Sequence, residues 1–550
     1  MDTVIYQRRD AGGWMVRWNQ TLAERALRDG DWTNRTIADY ARERVGARPE
    51  QVLIIEGELQ LTAATLYDKA RRLAGWFVLQ GIQAGDVVSF QLPNWWEAAV
   101  IDLAACMVGA VVNPIVAINR DAEVTYMLNE SRTRVMFVPE QFRKFGYAEM
   151  LRRIAGDLQT APQVVVLRGE AGEFLSFEAL LADAEPLDKP REIDANAVKL
   201  LMYTSGTTGR PKGVLHSHNS ILADCVKMKP VMHLDEPDYV FCPSPLTHVT
   251  GYLWILTMPW YGGLTAVTMD TWNAEIAFDL LSRYRCALML GATPFLQDLL
   301  TIVRERGDTL PALRYYLCGG ASVPPSLIYE AAERFPNCIP WRNFGATEAT
   351  TMTAPPRSRD YIRYGAETDG RLHHCEVKIV DVASGQPVEP GEEGEILVRE
   401  PSMALGYART EDNAGAYDAE GFFRMGDLGR LIEGGHIVCT GRKKDLIIRS
   451  GENISAKEIE DVLLRSPRIR EAAVVSMPSQ KTGEAICAFI VAEEGEQFGM
   501  PEVSAMVQEA GLARQKTPEY VQLVDSLPKT ASGKVRKDVL RETAKAYSYN

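Results

Sequence analysis

Apolar and polar residues follow two different periods in the first half of the chain. Residues 62–80 place Leu66, Ala70 and Leu73 on one face, as expected of an amphipathic helix. Short, nearly continuous apolar runs lie on either side of it and recur further along, and their length is typical of buried strands. These runs are 52–55, 87–92, 135–138 and 164–167. The alternation predicts an α/β fold in which parallel sheets are layered with helices.

The most apolar stretch of the chain is AAVIDLAACMVGAVVNPIVAI, at 98–118. Asp102, Asn113 and Pro114 interrupt it, so it falls short of the run of about 20 apolar residues that spans a membrane. We predict a buried helix that runs into a buried strand, and no integral membrane association.

The pattern changes in the last third of the chain. Residues 385–398 are rich in turn formers and then strand-like, which predicts a small β region closing a large domain. A cluster of charges follows, and then Ser455 and Glu458 have the spacing of a capping box that opens a helix. Further strand-like runs occupy 472–477 and 485–491.

This change in pattern places a domain boundary near residues 440–445. We predict a large N-terminal domain over residues 1–441 and a small, mobile α+β domain over residues 442–550. The second unit has roughly a hundred residues, an ordinary size for a separate domain.

Residues 203–214 read YTSGTTGRPKGV and follow the strand-like run VKLLMY. The glycines allow backbone amides to turn toward an anion, and the hydroxyl side chains add donors. Arg210 and Lys212 add positive charge. The sequence therefore predicts a phosphate-binding loop, although the Gly-Lys-Ser/Thr end of the Walker loop is missing. The alternative is an ordinary flexible turn.

The loop resembles the signature loop of the acyl-adenylate-forming superfamily. This superfamily includes acyl-CoA synthetases, firefly luciferases and the adenylation domains of peptide synthetases. Four further stretches resemble its motifs in the same order: NFGATE at 343–348, GFFRMGDLG at 421–429, GRKKDLIIRSGEN at 441–453 and PKTASGK at 528–534. The chain is identified as a member of this superfamily, in its acyl-CoA synthetase branch.

The resemblance implies an ATP- and Mg²⁺-dependent acid–CoA ligase that works in two steps. A carboxylate attacks the α-phosphate of ATP and gives an acyl-adenylate and pyrophosphate. The thiol of coenzyme A then attacks the acyl carbon, and AMP leaves. Because the first step brings two anions together, the site has to supply positive charge and fixed dipoles.

The family's nucleotide site can be carried over residue by residue. The loop holds the β- and γ-phosphates, Glu348 holds Mg²⁺ together with Thr204, and Asp427 accepts hydrogen bonds from the ribose with Arg442 nearby. Phe344 stands where tyrosine is more usual, and either ring can stack on adenine. The implied ATP-binding residues are Thr204, Ser205, Gly206, Thr207, Thr208, Gly209, Lys212, Gly320, Ala321, Asn343, Phe344, Gly345, Asp427, Arg442 and Lys534.

The resemblance also implies catalytic and acyl-binding roles. Lys534, in PKTASGK, reaches between the carboxylate and the α-phosphate, while Thr347 contacts phosphate. His248, in PLTHVTG, resembles the gate between the acyl pocket and the thiol channel. The implied catalytic residues are Lys534, Glu348, Thr347 and His248, and the implied acyl pocket is formed by His248, Gly320 and Ala321.

Lys444 matches the position about which the family's small domain rotates. In one pose Lys534 faces the ATP, and in the other the segment RSGEN does so. Ser450, Gly451 and Glu452 would then line the channel for coenzyme A, and a side chain at Gly451 would block pantetheine. One site that serves two half-reactions requires such a two-state element.

Each of these residues also has a purely structural alternative. Thr347 and Glu348 could cap a helix N-terminus. Asp427, after glycine, could belong to a hairpin turn. Lys534 could be a solvated surface lysine, and His248 a core histidine.

Bulk composition narrows the class of protein. The chain has 550 residues, a net charge of −13 and 24% charged residues, which is typical of a globular protein and argues against nucleic acid as a partner. Nine cysteines without a CxxC pair fit a reducing compartment, and no N-terminal apolar run is present, so we expect a cytoplasmic location.

The partners expected are a small carboxylic acid, ATP and coenzyme A. The run LTHVTGYLWIL at 246–256 has no acid that could hold an ammonium, which favours a plain acid: medium-chain, alicyclic or aryl. Tyr252, Trp254, Met258 and Trp260 could line a roomy apolar pocket or belong to the core. A carrier-protein thiol as acceptor, a luciferase-like activity and a non-catalytic nucleotide binder remain alternatives. The oligomeric state is left open, with a homodimer as one alternative.

Overall fold

Two seven-stranded sheets form the first two-thirds of the chain. The computed structural model describes residues 5–204, 210–320, 323–450, 452–530 and 534–547. The first sheet is parallel except for its last pair. Its spatial order is Leu175–Ser176, Gln163–Leu167, Val135–Pro139, Val87–Phe90, Val111–Pro114, Val198–Thr204 and Lys212–Ser217.

The second sheet is also parallel, except for the hairpin at its far edge. Its spatial order is Ile339–Asn343, Tyr315–Gly319, Leu288–Gly291, Tyr239–Phe241, Thr265–Thr268, Val52–Glu56 and Leu59–Thr62. The predicted strands of the first half therefore exist, and the α/β fold is confirmed.

Helices cover both sheets. The predicted helix Ala63–Leu79 buries Leu66, Ala70 and Leu73. The others up to residue 367 are Gln20–Asp29, Ile37–Ala47, Glu97–Val108, Asp121–Ser131, Tyr147–Ile154, Phe177–Asp183, His218–Val231, Val249–Gly251, Met258–Gly262, Ala274–Arg283, Thr293–Arg306, Pro325–Arg334 and Ile362–Glu367, with a π-helix at Tyr252–Thr257.

The apolar stretch 98–118 forms the centre of the large core. Every residue of helix Glu97–Val108 is buried, and the buried strand Val111–Pro114 follows it. The helix belongs to one core cluster with strands of both sheets. Among the described residues, no helix is long and apolar enough to cross a membrane.

Asp102, which interrupts that stretch, finds a partner inside the core. The Lys199 ammonium lies 3.3 Å from both carboxylate oxygens of Asp102, and each side chain is only 1% exposed. The hydroxyl of Tyr252 also donates to Asp102. Burial alone would lower the pKa of Lys199, but the Asp102 carboxylate outweighs it and the pKa is raised. The ion pair is therefore kept charged within the core.

A third, antiparallel sheet follows the two parallel ones. It contains the predicted β region, and its order is Thr353–Ala354, Arg371–Leu372, His436–Arg442, Phe423–Ile432, Gly394–Arg399 and Glu376–Val380. The chain leaves this sheet at Arg442 and passes through the short 3₁₀ turn Lys443–Asp445. It then enters a fourth sheet at Leu446.

The fourth sheet has helices on both faces. Its order is Glu452–Ser455, Leu446–Arg449, Gly483–Ala492 and Ile469–Ser479, with Tyr520–Leu523 beside Gly483–Ala492. Its helices are Ala456–Leu463, Met500–Glu509 and Lys537–Ala544. Short hairpins, Tyr6–Arg9 with Met15–Trp18 and Gln141–Phe142 with Phe145–Gly146, complete the fold.

The capping box predicted at Ser455 does not form. The helix begins at Ala456, but the Ser455 hydroxyl donates to the carbonyl of Thr440 instead of capping it. Glu458 forms an ion pair with Lys516, with 2.6 Å between the charged atoms. Contacts with distant segments therefore replace the local hydrogen bonds that the spacing predicted.

Candidate active site

The two strands that flank the predicted phosphate loop form an antiparallel pair. Thr204 lies opposite Lys212 in this pair, so the chain reverses direction between them. Ser205, Gly206, Thr207, Thr208 and Gly209, all predicted to bind ATP, lie outside the described residues. The site can therefore be built from the residues on either side of them.

The two cations that follow the loop have different surroundings. Arg210 forms an ion pair with Asp412 at 2.9 Å and donates to the hydroxyl of Tyr126 at 3.2 Å. Lys212 lies over the ring of Tyr407, with its ammonium 5.1 Å from the ring centre. Arg210 thus anchors the loop to neighbouring segments, whereas Lys212 faces the ring of Tyr407.

Glu348 lies in a bend that no helix follows directly, so the helix-capping alternative is wrong. The hydroxyl of Tyr407 donates to Glu348 Oε1 at 2.7 Å. Burial and the Glu348 carboxylate raise the pKa of Tyr407, so its hydroxyl keeps its proton. The carbonyl of Thr347, one residue earlier, is 2.7 Å from Nε2 of the buried His216. Both predicted residues are therefore held by side chains from distant segments.

The oxygens of Thr204 and Glu348 are suited to a hard cation. Mg²⁺ is usually bound by one or two protein oxygens together with phosphates and water. Thr204 is paired with Lys212, Lys212 lies over Tyr407, and Tyr407 bonds to Glu348. In the described part of the chain, no cluster of three or more His, Cys, Asp or Glu side chains could bind a metal ion by itself. This donor set fits a metal carried in with a nucleotide.

Gly320 and Asn343 come together because their strands are parallel neighbours, with Gly319 in register with Asn343. Gly320 has a φ of +85°, a conformation that favours glycine. A β-carbon at Gly345 would lie 2.6 Å from the carbonyl of Thr350, so that turn also requires glycine.

Phe344 is fixed from both sides of its peptide unit. Its N–H donates to the Thr353 hydroxyl at 3.2 Å, and its carbonyl accepts from the N–H of Met352 at 3.0 Å. These bonds hold the backbone of NFGATE in one conformation. Ala321, the remaining predicted residue of this group, lies outside the described residues.

Asp427 and Arg442 face each other across two strands of the third sheet. They are directly opposite in register, and Arg442 Nε is 2.9 Å from Asp427 Oδ1. Asp427 lies inside the strand Phe423–Ile432, so the hairpin-turn alternative is wrong. Burial raises the pKa of Asp427, while Arg442 and Lys534 act in the opposite direction.

Lys534 reaches this site from the C-terminal segment. A β-carbon built on Gly320 would lie 3.9 Å from Cε of Lys534. Burial and the neighbouring Arg442 lower the pKa of Lys534, whereas the Asp427 and Glu348 carboxylates raise it. Lys534 therefore lies among residues predicted to bind the nucleotide and is not a solvated surface lysine.

Two hydrogen bonds join Lys534 to Thr530, four residues earlier in the chain. The Thr530 N–H donates to the Lys534 carbonyl at 2.8 Å, and the Lys534 N–H donates to the Thr530 hydroxyl at 3.1 Å. Lys529 and Val535 form an isolated antiparallel bridge outside these bonds. These contacts fix the backbone of Lys534 next to that of Thr530.

His248 lies close enough to Lys534 to feel its charge. Burial, with a contribution from the Lys534 ammonium, lowers the pKa of His248 to about 4. The imidazole is neutral at physiological pH, and its Nδ1 accepts the N–H of Thr250 at 3.4 Å. His248 and Gly320 therefore both lie near Lys534, and the acyl-binding role predicted for them stays a prediction.

The aromatic residues that follow His248 are all buried, and the structure places them in the large core. Tyr252 hydrogen-bonds to Asp102 and so belongs to the charged core pair. Trp254, Met258 and Trp260 belong to the same core cluster. The core alternative is therefore correct for Tyr252.

The predicted hinge and channel residues lie elsewhere. Lys444 is exposed within its turn, and its carbonyl accepts from Arg541 at 3.4 Å. Ser450 and Glu452 are also exposed, and Gly451 between them lies outside the described residues. The Ser450 N–H donates to the Thr482 carbonyl at 2.8 Å. In this conformation Lys534 is at the nucleotide site, and Ser450 and Glu452 are exposed to solvent.

Two residues of the site were not assigned a role there from the sequence. Tyr407 contacts Glu348 over a separation of 59 residues, and no spacing rule links them. His216 holds the Thr347 backbone across 131 residues, and no spacing rule links these two either. The glycine before Tyr407 is a local signal of a special backbone conformation, since Gly406 has a φ of +108°.

Comparison with known proteins agrees with this geometry. Residues 41–408 match the AMP-binding enzyme family, and residues 458–534 match the AMP-binding enzyme C-terminal domain. The chain therefore belongs to the AMP-binding enzyme family, a group of acid–thiol ligases.

Similar relatives cover nearly the whole chain. The medium-chain fatty-acid–CoA ligase of Escherichia coli (strain K12) is 34% identical over 533 residues, covering 96% of this chain and 94% of that protein. The 2,3-dihydroxybenzoate-AMP ligase of Bacillus subtilis (strain 168) is 31% identical over 536 residues and covers 96% of both.

A solved structure supports the fold independently. The anthranilate CoA ligase AuaEII, in complex with anthranoyl-AMP, superimposes with a TM-score of 0.84. The match covers 94% of this chain and 98% of that one, at 23% identity. At this identity the likeness supports the fold alone.

Proposed function

We propose that the protein is an AMP-forming acid–CoA ligase that uses ATP and Mg²⁺ and passes through an acyl-adenylate. The observation that carries the proposal is the position of Lys534, which comes from the C-terminal segment and lies with Gly320, His248 and Asp427. One cation there is within reach of both an acid and a nucleotide.

The first half-reaction follows from this arrangement. Asp427 and Arg442 hold the ribose, and Lys212 with the adjoining loop holds the outer phosphates. An oxygen of the acid attacks the α-phosphorus, the bond to the β-phosphate breaks, and pyrophosphate leaves. The Lys534 ammonium lies between the two anions and offsets the charge that builds up as they approach.

Thr204 and Glu348 are the residues that would hold Mg²⁺. When bound, the ion would neutralise phosphate charge and orient the leaving group. The carboxylate of Glu348 contributes to this role through its charge, which an amide of the same shape lacks.

Replacing Glu348 with glutamine should therefore raise the Mg²⁺ concentration needed for half-maximal pyrophosphate release by at least about tenfold. The measurement is a magnesium titration at fixed ATP and acid. Glu411→Gln is the control, because Glu411 is exposed and paired only loosely, at 3.8 Å, with Arg409. A titration curve identical to that of the wild type would show that Glu348 is not a metal ligand.

The second half-reaction requires a different pose of residues 442–550. We propose that this segment is a mobile domain that turns about Lys444, relative to residues 1–441. The turn withdraws Lys534 and brings Ser450, Gly451 and Glu452 to the thiol channel. Lys443–Asp445 is a suitable hinge because it joins the third sheet to the fourth and has no strand partner of its own in the described structure.

Lys444→Pro tests this hinge, because proline fixes φ near −65° and removes the N–H. The variant should retain adenylate formation within about threefold and lose transfer to coenzyme A by a factor of ten or more, a loss of roughly 1.4 kcal/mol or more. Rapid-quench assays of each half-reaction measure the two effects separately. Lys444→Ala removes the charge but keeps the backbone free, so it should transfer normally. Normal overall turnover in Lys444→Pro would remove the hinge from the mechanism.

We propose a medium-chain, alicyclic or aryl acid as substrate. The run 246–256 around His248 contains no acidic residue that could hold a substrate ammonium. The relatives that act on medium-chain fatty acids and on 2,3-dihydroxybenzoate support the same range.

A pyrophosphate-release assay tests the function directly. Purified protein is given Mg²⁺ and ATP with octanoate, cyclohexanecarboxylate, benzoate or acetate, with and without coenzyme A. We expect an AMP ester with at least one of the first three acids and an acyl-CoA when coenzyme A is present. An adenylate that accumulates and never transfers to coenzyme A would favour a carrier protein as acceptor. No AMP ester with any acid would refute the proposal.

A further inference from the structure

Residues 403–408, here called the connector segment, tie together the two elements that are expected to hold phosphate and metal. On one side, Met403 forms an antiparallel bridge with Ala349, and the Ala404 N–H donates to the Glu348 carbonyl at 2.8 Å. The segment thus fixes the backbone beside Glu348.

On its other side, the connector segment adds to the strand that follows the phosphate loop. The Leu405 N–H donates to the Leu215 carbonyl at 2.8 Å, and the Ala408 N–H donates to the Gly213 carbonyl at 2.8 Å. Tyr407 itself forms a bridge with Val214. The backbone of Tyr407 is therefore in register with the loop strand, two residues from Lys212.

The side chain of Tyr407 also contacts both elements, Lys212 through its ring and Glu348 through its hydroxyl. Its ring lies below the Lys212 ammonium, at 5.1 Å, and its hydroxyl donates to Glu348 Oε1 at 2.7 Å. The residue is only 5% exposed, and its N–H is bound by Asn413 at 3.0 Å, so neither the ring nor the hydroxyl is free to turn away.

We propose that Tyr407 is a positioning residue that sets the carboxylate of Glu348 relative to Lys212, and so to the phosphates of the nucleotide. The inference rests on the proposed function, because it assigns Tyr407 a role through Glu348 and not through contact with substrate. With Oε1 held by the hydroxyl, the carboxylate has one orientation in which its other oxygen can meet a phosphate-bound cation. The ring meanwhile keeps the lysine at a fixed distance from that carboxylate.

Tyr407→Phe removes only the hydroxyl and keeps the ring below Lys212. Loss of a partner that orients a metal-binding carboxylate typically costs 10–100-fold in metal affinity or activity. We expect the Mg²⁺ concentration for half-maximal adenylation to rise about tenfold, while thiolysis of supplied acyl-AMP changes by less than about twofold. Tyr417→Phe is the matched control, because Tyr417 is a half-buried tyrosine of the same cluster that packs against Arg17, with 3.2 Å between guanidinium and ring centre.

A binding measurement gives a readout that does not depend on turnover. Mn²⁺ with the non-hydrolysable analogue α,β-methylene-ATP is titrated into each variant and followed by electron paramagnetic resonance. The proposal expects weaker Mn²⁺ binding in Tyr407→Phe by about tenfold and wild-type binding in Tyr417→Phe. Wild-type Mn²⁺ binding in Tyr407→Phe would overturn it.

A double-variant cycle separates positioning from a general structural role. If Tyr407 acts through Glu348, adding Tyr407→Phe to Glu348→Gln should change adenylation by less than about twofold, since coupled residues are not additive. If the losses of the two single variants multiply in the double variant, the proposal is overturned. If Tyr407→Phe lowers the melting temperature and slows both half-reactions by similar factors, Tyr407 is a packing residue and the proposal is likewise overturned. Failure of the wild type to form any AMP ester would instead count against the proposed function.

Discussion

Replacing Lys534 with alanine is expected to slow acyl-adenylate formation by roughly 10²–10³-fold, the usual loss for one transition-state donor. The reason is its position. Its ammonium is held beside Gly320 and within the field of the Asp427 and Glu348 carboxylates. Thiolysis of supplied acyl-AMP should continue, because the proposed hinge motion withdraws the lysine in that step. Single-turnover assays of the two half-reactions measure both effects.

A second lysine of the same segment provides the control for Lys534→Ala. Lys529 lies five residues earlier and forms an ion pair with Glu471 at 2.6 Å, within the C-terminal unit. Lys529→Ala should leave adenylation within about twofold of the wild type, since it removes a partly buried ion pair that involves none of the predicted site residues. Equal loss of both half-reactions in Lys534→Ala would contradict the role assigned to that residue.

The second large effect concerns stability. Lys199→Met leaves the Asp102 carboxylate buried without its cation, and breaking such a pair from one side costs about 3–5 kcal/mol. Both side chains are 1% exposed, so water cannot take the place of the lysine. The free energy of unfolding, measured by urea titration, should fall by this amount.

Two further variants serve as controls for Lys199→Met: one breaks an exposed ion pair, and the other removes both charges of the core pair. Arg283→Met breaks an exposed pair with Glu58, where the two side chains are 53% and 81% exposed, and should leave the free energy of unfolding nearly unchanged. Combining Lys199→Met with Asp102→Leu removes both charges and should recover part of the loss. If Lys199→Met were as mild as Arg283→Met, the core pair would not be the stabilising contact described above.

Sequence periodicity was sufficient to predict the main architecture. The run at 135–138 is the strand Val135–Pro139, and residues 62–80 contain the helix Ala63–Leu79. Continuous apolar runs identified strands covered on both faces, because such strands have no solvent side on which polar residues would alternate. The interrupted stretch 98–118 was read correctly as a helix followed by a strand.

Contacts between distant segments were beyond the reach of the sequence. Ser455 has the spacing of a cap, yet its hydroxyl bonds to Thr440, which lies nearby only once the third and fourth sheets are assembled. The composition of the loop suggests that Arg210 contributes positive charge for a phosphate. In the structure Arg210 forms an ion pair with Asp412, which is 202 residues away in the chain. Local spacing predicts which groups are available, whereas tertiary packing decides which of them pair.

In the candidate site, too, local motifs were visible in the sequence and contacts between distant segments were not. The residue types at Glu348, Asp427 and Lys534 were identified from their motifs, and the structure places them near one another. Tyr407 was missed because its importance lies in a hydroxyl that reaches across 59 residues, a contact that no local pattern encodes.

The location of Lys534 also sets the order in which the substrates are admitted. Its alkyl chain reaches Gly320 beside His248, where the resemblance places the passage for the thiol. If the proposed hinge motion moves this lysine away only after adenylate formation, a thiol arriving earlier would meet the lysine and not an acyl group. The proposed mechanism then predicts ping-pong steady-state kinetics with pyrophosphate as the first product.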